Sequence, residues 1–289
     1  MSIRVHLGGR LCPPDIAAVP VFDRGFLFGD SVYETLGTSN GRLVFLDDHL
    51  HRLARSAERL YLKLPPRDEI ERAVQETLAA AENPESRMRI VVTRGDGGVD
   101  LDPTASGQPR LVVIVQPLGG PPPELYEKGA EVEIVSVTRN SPRAIDPAVK
   151  SGNYLNNVLA MGEARRRRPS VHEAILCAAS GSVAEGATSN LFAVVAGQLR
   201  TPALEVGILD GVTRGKILAL ASANGIACHE VSFMSPDDLR HADEAFLTSS
   251  VRSVLPVTRV DGLALGDGKP GAVTRRLMLL YRQLVEAQT

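Results

Sequence analysis

The sequence predicts a two-domain protein of the α+β or α/β class, with a small N-terminal α+β domain and a larger, β-rich C-terminal domain with flanking helices. Its 289 residues, 44% of them apolar, are enough for a large buried core in two domains or one large one. In the first half the predicted strands lie before and after two predicted helices, and in the second half predicted strands and helices are interleaved. Residues 118–123 (Leu-Gly-Gly-Pro-Pro-Pro) combine flexible glycine with stiff proline, so we expect a linker there between domains at 1–117 and 124–289.

The first half is expected to open with antiparallel hairpins, followed by two helices and two buried strands. Gly8-Gly9 and Asn40-Gly41 predict tight turns, because glycine and asparagine tolerate positive φ. The expected strands are apolar or β-branched stretches at 5–11, 33–46, 89–93 and 111–116. The expected helices run from a cap at Asp47 or Asp48 to about residue 61, and from Pro66 through Ile70, Val74 and Leu78.

The second half is expected to form a β-rich domain with helices beside it. Its predicted strands are short β-branched or apolar stretches at 131–138, 173–179, 190–195 and 245–248. Its predicted helices follow the helical apolar period at 153–167, 213–224 and 273–286.

Charge and composition argue against several classes of protein. Lys plus Arg number 32 against 34 Asp plus Glu, a balance that does not suit a general nucleic-acid binder. No stretch approaches the roughly 18 continuous apolar residues of a membrane span, so no membrane association is expected. Cys12, Cys177 and Cys228 are widely spaced and odd in number, which fits a reducing cytoplasm. His49 and His51 lie two apart on a predicted helix and share no face, so no metal site is expected.

Two charged residues predict the chemistry of the protein. Lys150 lies just ahead of the predicted helix at 153–167, and Glu185 lies in a glycine-rich stretch that predicts a turn between strands. A lysine amine can form a Schiff base with the aldehyde of pyridoxal phosphate. A carboxylate beside the pyridine nitrogen keeps that nitrogen protonated and makes the ring an electron sink. The pair therefore meets the two charge requirements of a pyridoxal phosphate site.

Three motifs follow one another in the second half of the chain. They are Lys-Ser-Gly-Asn-Tyr-Leu-Asn-Asn from Lys150, Glu-Gly-Ala-Thr-Ser-Asn-Leu-Phe from Glu185, and Leu-Asp-Gly-Val-Thr-Arg from Leu209. In this order they resemble the class IV aminotransferases, the fold-type IV pyridoxal phosphate enzymes, and the resemblance extends from Phe22 to Thr258. The family includes branched-chain and D-amino acid transaminases and aminodeoxychorismate lyases. The resemblance implies the fold of the D-amino acid aminotransferases, pyridoxal 5'-phosphate as cofactor, and a homodimer.

The resemblance also implies roles for individual residues. Lys150 matches the Schiff-base lysine, which also carries the proton, and Glu185 the partner of the pyridine nitrogen. Tyr154 matches the tyrosine on the cofactor's phenolic oxygen, while Arg52 and Ser250 match its phosphate ligands. From the residues alone, Gly211-Val212-Thr213 opens a predicted helix, whose free N–H groups suit a phosphate. The predicted cofactor-binding residues are therefore Arg52, Lys150, Tyr154, Glu185, Leu209, Val212, Thr213 and Ser250.

The substrate-binding pattern is mixed among the family's subtypes. Arg89, within Arg-Ile-Val-Val-Thr-Arg-Gly, favours the branched-chain type, although Arg87 stands where those enzymes have tyrosine. Tyr33 is typical of D-amino acid transaminases and Thr35 of aminodeoxychorismate lyases, so both alternatives stay open. Arg24, Arg87 or Arg89 could bind a substrate carboxylate. The predicted substrate-binding residues are Tyr33, Arg87, Arg89 and Val251.

The function that we expect is ping-pong transamination. The amino group of an amino acid, a branched-chain L-amino acid by preference, passes to the cofactor and then to a 2-oxo acid such as 2-oxoglutarate. Only 4% of the residues are aromatic and tryptophan is absent, which suits a pocket lined by aliphatic side chains.

Overall fold

The computed structural model describes residues 2–288, which form two compact units. The first unit contains residues 2–119 together with Val149–Asn153. The second contains Gly120–Ala148 and Tyr154–Gln288. The division falls within the stretch 118–123, whereas nothing in the sequence pattern predicted the return of residues 149–153 to the first unit.

The first unit has six strands and three α-helices, which match the predicted order of hairpins, helices and buried strands. In chain order they are β1 (Arg4–Leu7), β2 (Arg10–Cys12), α1 (Arg24–Phe28), β3 (Ser31–Ser39), β4 (Arg42–Leu43), α2 (Leu46–Arg59), α3 (Arg67–Ala81), β5 (Ser86–Thr93) and β6 (Arg110–Pro117). Short 3-10 helices cover Pro14–Ile16 and Pro103–Ala105.

The strands of the first unit form one antiparallel sheet in the order β2-β1-β6-β5-β3-β4. Helices α2 and α3 pack on one face of it, because alternate residues of β3 and β5 point to that face and are apolar. Val32, Leu36, Met88 and Ile90 are fully buried in the resulting core. The intervening residues of the same strands point to the opposite face.

The turn at Asn40-Gly41 is confirmed, since both residues have positive φ, 49° and 72°. The predicted cap of α2 is wrong. The helix begins at Leu46 after Phe45, which has left-handed backbone angles and makes no side-chain cap. Asp47 and Asp48 lie in the first turn instead, where a negative charge is favoured by the helix dipole.

The second unit has nine strands and five α-helices. In chain order they are α4 (Pro123–Lys128), β7 (Ala130–Ile134), α5 (Leu155–Arg167), β8 (Glu173–Cys177), β9 (Val183–Gly186), β10 (Asn190–Val195), β11 (Gln198–Pro202), α6 (Val212–Ala223), β12 (Cys228–Val231), α7 (Pro236–Arg240), β13 (Glu244–Ser249), β14 (Ser253–Val260), β15 (Leu263–Ala264) and α8 (Ala272–Gln288). A 3-10 helix covers Leu204–Val206.

These strands form a mixed sheet in the order β12-β11-β10-β13-β14-β7-β8-β9, with β15 beside β14. Helices α6 and α8 pack on the central strands, and α5 packs on β8. Phe192 and Phe246 lie on adjacent strands, fully buried, with their rings stacked 4.9 Å apart. The expectation of a β-rich unit with flanking helices is confirmed.

Several predicted boundaries in this unit are wrong. The strands expected to reach residues 138 and 179 end at Ile134 and Cys177, and the helix expected from residue 153 begins at Leu155. Strand β14 was not predicted, because Pro256 in its middle is atypical of a paired strand. None of the helices within residues 2–288 combines the length and apolar character needed to cross a membrane.

Candidate active site

Lys150 is fixed by its backbone on both sides. Its carbonyl accepts a hydrogen bond from Tyr33 N–H at 2.9 Å, and its own N–H donates to Ser56 Oγ on α2 at 3.1 Å. Gly152 N–H donates to the Ser31 carbonyl at 2.9 Å, so the segment pairs with the free edge of β3. The side chain of Lys150 is half-buried. A primary amine is thereby held at a defined place in the first unit.

Tyr33 brings two cations together. The Lys150 Nζ lies 4.6 Å from the centroid of its ring, and the Arg89 guanidinium carbon lies 3.8 Å from it. Both are within the range of a cation–π contact. Tyr33 and Arg89 are predicted substrate-binding residues, and the structure places both around the predicted catalytic amine.

The predicted substrate residue Arg87 is two positions from Arg89 on β5. Side chains alternate along a strand, so both arginines lie on the face that points away from α2 and α3. Arg87 is exposed and Arg89 is half-buried. Within residues 2–288 neither guanidinium pairs with a carboxylate. This face can therefore attract an anion.

Arg24 is excluded as a candidate for the substrate carboxylate within its own unit. It is buried, and its Nε donates to Asp30 at 3.0 Å. Its two terminal nitrogens donate to the carbonyls of Asp100 and Leu101. Through these contacts the arginine joins α1 to the loop between β5 and β6.

Arg52, predicted to bind the phosphate, lies on α2 and is buried against Glu34. Its Nε and one terminal nitrogen donate to the two oxygens of Glu34 at 2.8 and 2.7 Å. Such a two-point pair fixes the plane of the guanidinium. His49 Nδ1 lies 2.7 Å from the same carboxylate. Glu34 was not identified from the sequence. An acid among the apolar residues of a buried strand face does, however, indicate a buried ion pair.

The Glu34 carboxylate is fully buried, which alone would raise its pKa. The charge and hydrogen bonds of Arg52, with a hydrogen bond from His49, outweigh this and lower the pKa of Glu34 to about 2. Burial lowers the pKa of His49 below its usual value, against the raising effect of Glu34. At neutral pH the arrangement is therefore a carboxylate, a guanidinium and a neutral imidazole.

In the second unit, Glu185 lies on strand β9, and the prediction of a turn there is wrong. Gly186 is required for close packing rather than for a turn, since a Cβ at that position would lie 2.3 Å from Ser189 Oγ. The structure gives the Glu185 carboxylate three donors. Arg139 Nε donates at 2.7 Å, the Asn190 amide at 3.0 Å and the Leu209 N–H at 3.1 Å.

These donors suit an ionised carboxylate, which accepts at both oxygens. Arg139 and Asn190 were not singled out from the sequence. Asn190 lies inside the second motif, but Arg139 follows the end of β7 without any motif of its own. Only the fold brings Arg139 to Glu185.

Asn190 also links Glu185 to the start of α6. Its amide donates to the Leu209 carbonyl at 2.9 Å. A Cβ on Gly211 would lie 1.9 Å from the Asn190 oxygen, so only glycine allows this approach. Helix α6 begins at Val212 as predicted, and Gly211 provides no side-chain cap. An uncapped N-terminus of this kind suits an anion.

The remaining predicted residues of the second unit lie at element ends. Thr213 is buried near the start of α6, with its Oγ1 3.4 Å from the Tyr281 hydroxyl. Tyr154 is half-buried at the N-cap of α5. Ser250 and Val251 are half-buried in the turn between β13 and β14. In the second unit the structure thus links the Glu185 carboxylate, through Leu209 and Asn190, to the start of α6 at Val212 and Thr213.

Side chains that could bind a metal ion are not clustered in the part of the chain that the structure describes. Residues 2–288 contain no group of three or more His, Cys, Asp or Glu side chains that could hold a metal ion. His49 contacts Glu34, and His51 is exposed, so the two histidines point to different surroundings.

Comparison with known proteins gives one consistent result. The family model described as "Amino-transferase class IV" matches residues 31–260. The chain is 36% identical over 283 residues to a Methanocaldococcus jannaschii protein provisionally named as a branched-chain-amino-acid aminotransferase, covering 98% of this chain and 96% of that protein. It is 31% identical over 288 residues to the D-alanine aminotransferase of Bacillus licheniformis, covering 99% of each.

The fold is also similar to that of a solved aminotransferase structure. The branched-chain aminotransferase of the thermophilic archaeon Thermoproteus uzoniensis, crystallised with norvaline, superposes with a TM-score of 0.90 at 31% identity. The match covers 100% of this chain and 96% of that chain. The predicted resemblance and fold type are confirmed.

Proposed function

Because the chain belongs to the class IV aminotransferases, we propose that it uses pyridoxal 5'-phosphate to move the amino group of a branched-chain L-amino acid to a 2-oxo acid such as 2-oxoglutarate. When bound, this cofactor supplies an aldehyde that bonds to amines and a ring that withdraws electrons from the substrate Cα. The observation that carries the proposal is the backbone-fixed amine of Lys150 against Tyr33 and Arg89.

The donor set of the described residues fits this cofactor. Lys150 offers the amine, and Glu185 offers a carboxylate whose geometry three donors fix. A phosphate dianion requires N–H, O–H and cationic groups. In the second unit the uncapped start of α6 at Val212-Thr213 and the Ser250 hydroxyl offer the first two. In the first unit Arg52 is assigned as the cation on the family resemblance. Fixed polar groups of this kind cost no reorganisation when the charge develops.

Two further residues receive cofactor roles on the family resemblance. Tyr154 is assigned to the phenolic oxygen of the cofactor, where a hydroxyl donor tunes the ring. Leu209 contributes its backbone, whose N–H already donates to Glu185 and whose carbonyl accepts from Asn190. Its position supports a role in orienting the acid rather than in contacting substrate.

The chain's own residues carry the proton and orient the substrate. We assign to the Lys150 amine the removal of the proton from the substrate Cα, as a general base, and its delivery to the cofactor C4′, as a general acid. Return of the proton to the same Cα would only re-form the substrate. Arg89, half-buried and without a carboxylate partner within residues 2–288, is assigned to the substrate carboxylate. Arg87 on the same face and the backbone of Val251 are assigned supporting contacts to that carboxylate.

A D-amino acid is the second candidate donor. Two observations favour it: the 31% identity to a D-alanine aminotransferase over 99% of both chains, and Tyr33 in contact with Lys150. The branched-chain assignment rests on the M. jannaschii relative and on the fold match. In both proposals the Cα hydrogen must be directed to Lys150, so they differ in which positions of the site receive the substrate carboxylate and the substrate side chain.

The proposal includes a homodimer in the cytoplasm. Two groups of exposed apolar side chains support self-association, because contiguous apolar patches on soluble proteins mark interfaces. In the first unit the group lies on adjacent loops joined by a hydrogen bond from Gly97 N–H to the Phe22 carbonyl. Its members are Ile16, Val21, Phe22, Phe26, Val99 and Leu101. In the second unit Leu155, Val158 and Leu159 form an exposed stripe on α5.

The catalytic amine is tested by substitution. Lys150→Ala is expected to retain cofactor without a covalent bond and to lose turnover, because the other binding groups remain. Lys63→Ala, at an exposed lysine of the same unit, is the matched control and is expected to keep activity. Reduction with borohydride before denaturation separates covalent from non-covalent cofactor, because it converts an imine into a stable amine that stays on the denatured protein. Retained turnover in Lys150→Ala, or a wild-type protein that takes up no cofactor, would overturn the proposal.

The substrate is tested by single half-reactions. Purified protein is mixed with L-leucine, L-valine, L-glutamate, D-alanine or D-glutamate, and the loss of visible cofactor absorbance is followed. Rapid loss with the branched L-amino acids is the expected result. A response to the D-amino acids alone would transfer the assignment to the second candidate.

A further inference from the structure

The turn between β13 and β14 contains only Ser250, Val251 and Arg252, since Ser249 and Ser253 already pair across the hairpin. Ser253 has a φ of 55°, which is an uncommon conformation for a residue with a side chain. A three-residue turn followed by a left-handed residue is a common hairpin form, and this turn also makes contacts outside the hairpin. Those contacts are made by its last residue.

Arg252 reaches from this turn to another strand and another turn of the second unit. Its Nε donates to Ser249 Oγ at 3.2 Å, inside its own hairpin. One terminal nitrogen lies 2.8 Å from the Glu173 carboxylate on β8 and donates to Thr188 Oγ1 at 2.5 Å. The other lies 3.5 Å from His172 Nε2. The Arg252 side chain is 15% exposed and that of Glu173 is 1% exposed.

The far end of this network belongs to the turn between β9 and β10. Thr188 and Ser189 in that turn donate to the same Glu173 oxygen, at 2.7 and 3.3 Å. Glu185 immediately precedes the turn on β9, and Asn190 immediately follows it on β10. One buried guanidinium–carboxylate pair therefore joins the turn with Ser250 and Val251 to the turn that flanks Glu185.

We propose that Arg252 is a positioning residue, which keeps the Ser250–Val251 turn in its cofactor-binding form by joining it to Glu173 and Thr188. The inference rests on the proposed function, because it takes Ser250 as a phosphate ligand and Glu185 as the partner of the pyridine nitrogen. In this assignment Arg252 itself contacts neither the phosphate nor the pyridine nitrogen of the cofactor. A planar fork suits this role better than an ammonium group, since it bridges several acceptors at fixed angles.

The experiment measures the affinity of the cofactor-free protein for pyridoxal 5'-phosphate by titration of its visible absorbance. Arg252→Met is expected to raise the Kd about tenfold or more, the range for losing charge-assisted hydrogen bonds. Arg252→Lys keeps the charge and is expected to recover only part of the loss. Arg259→Met is the matched control, because Arg259 lies exposed on β14, the strand that follows the turn, and within residues 2–288 its side chain donates to the Gly262 carbonyl.

A second pair of variants separates positioning from folding. Arg252→Met leaves the buried Glu173 without its cation and could unfold the unit. Arg252→Met with Glu173→Gln removes both charges, so the protein is expected to fold and still to bind the cofactor weakly. Thr188→Val, at an exposed position, is expected to raise the Kd about threefold, the lower range for one hydrogen bond.

The outcomes distinguish the two proposals. If the wild-type protein binds no cofactor, the proposed function fails and this inference fails with it. If the wild type binds and the double variant, folded by circular dichroism, binds with the wild-type Kd, then only the positioning role of Arg252 is overturned. A Kd raised equally by Arg259→Met would also overturn it, because the effect would then be one of net charge.

Discussion

Replacement of Glu34 by glutamine is expected to destabilise the protein by about 3–5 kcal/mol, the usual loss when one partner of a buried ion pair is removed. The Glu34 side chain is 0% exposed and that of Arg52 is 5% exposed, so water cannot replace the lost charge. Glutamine turns an N–H₂ group toward the guanidinium, which needs two acceptors. His49 loses its charged acceptor at the same time.

The loss is measured by urea unfolding followed by circular dichroism, with the midpoint and slope compared between variants. Glu71→Gln is the control, since Glu71 pairs with Arg67 at 2.7 Å on an exposed helix face, and it is expected to change the midpoint little. A double-mutant cycle of Glu34→Gln with Arg52→Gln isolates the pair, and a strong coupling energy is expected. If Glu34→Gln lowers the urea midpoint no more than Glu71→Gln does, then the buried pair of Glu34 and Arg52 does not stabilise the fold.

Two other predictions concern the pH dependence of stability and the close approach of Asn190 to the start of α6. Stability is expected to fall below about pH 6.5, because the unfolded chain protonates His49 while burial lowers its pKa in the fold. Stability falls again between about pH 4.5 and 2, where Glu34 of the unfolded chain takes up a proton that the folded protein excludes. Glu34→Gln should reduce this second loss in urea titrations without removing it, because other carboxyl groups such as that of Asp30 also have a lowered pKa in the fold. Gly211→Ala is expected to displace Asn190 and weaken cofactor binding about tenfold in absorbance titrations, whereas Gly215→Ala, with no atom within 4 Å of the added Cβ, is expected to leave it unchanged. Equal cofactor affinity in the two glycine variants would contradict the packing argument.

Local chemistry made much of the fold predictable. The hairpin at Asn40-Gly41 follows from two residues that tolerate positive φ, and the start of α6 follows from Gly211. Strand β14 could not be predicted, because Pro256 is atypical of a paired strand and one of its partners, β7, comes from a distant part of the chain. The return of residues 149–153 to the first unit was also unpredictable, since it depends on a strand edge far earlier in the chain.

The candidate site shows the same limit. Lys150, Tyr33 and Arg89 were identified from motifs, and the structure brings them into contact. Arg139 was not identified, because its only link to Glu185 is spatial. For Arg52 the motif gave the residue but not its buried acid partner, since a sequence motif does not state which face of a neighbouring strand the helix covers.

The pairing of residues 149–153 with β3 bears on any attempt to dissect the protein. A fragment that stops at residue 119 would keep the sheet and helices α1, α2 and α3. It would lack the backbone groups of Lys150 and Gly152 that form hydrogen bonds with Tyr33 and Ser31. Its bare strand edge would invite strand addition from neighbouring copies, with aggregation as the outcome. Joining the five residues back through a short glycine-rich tether should restore a soluble fragment, so this small segment belongs to the minimal unit of expression.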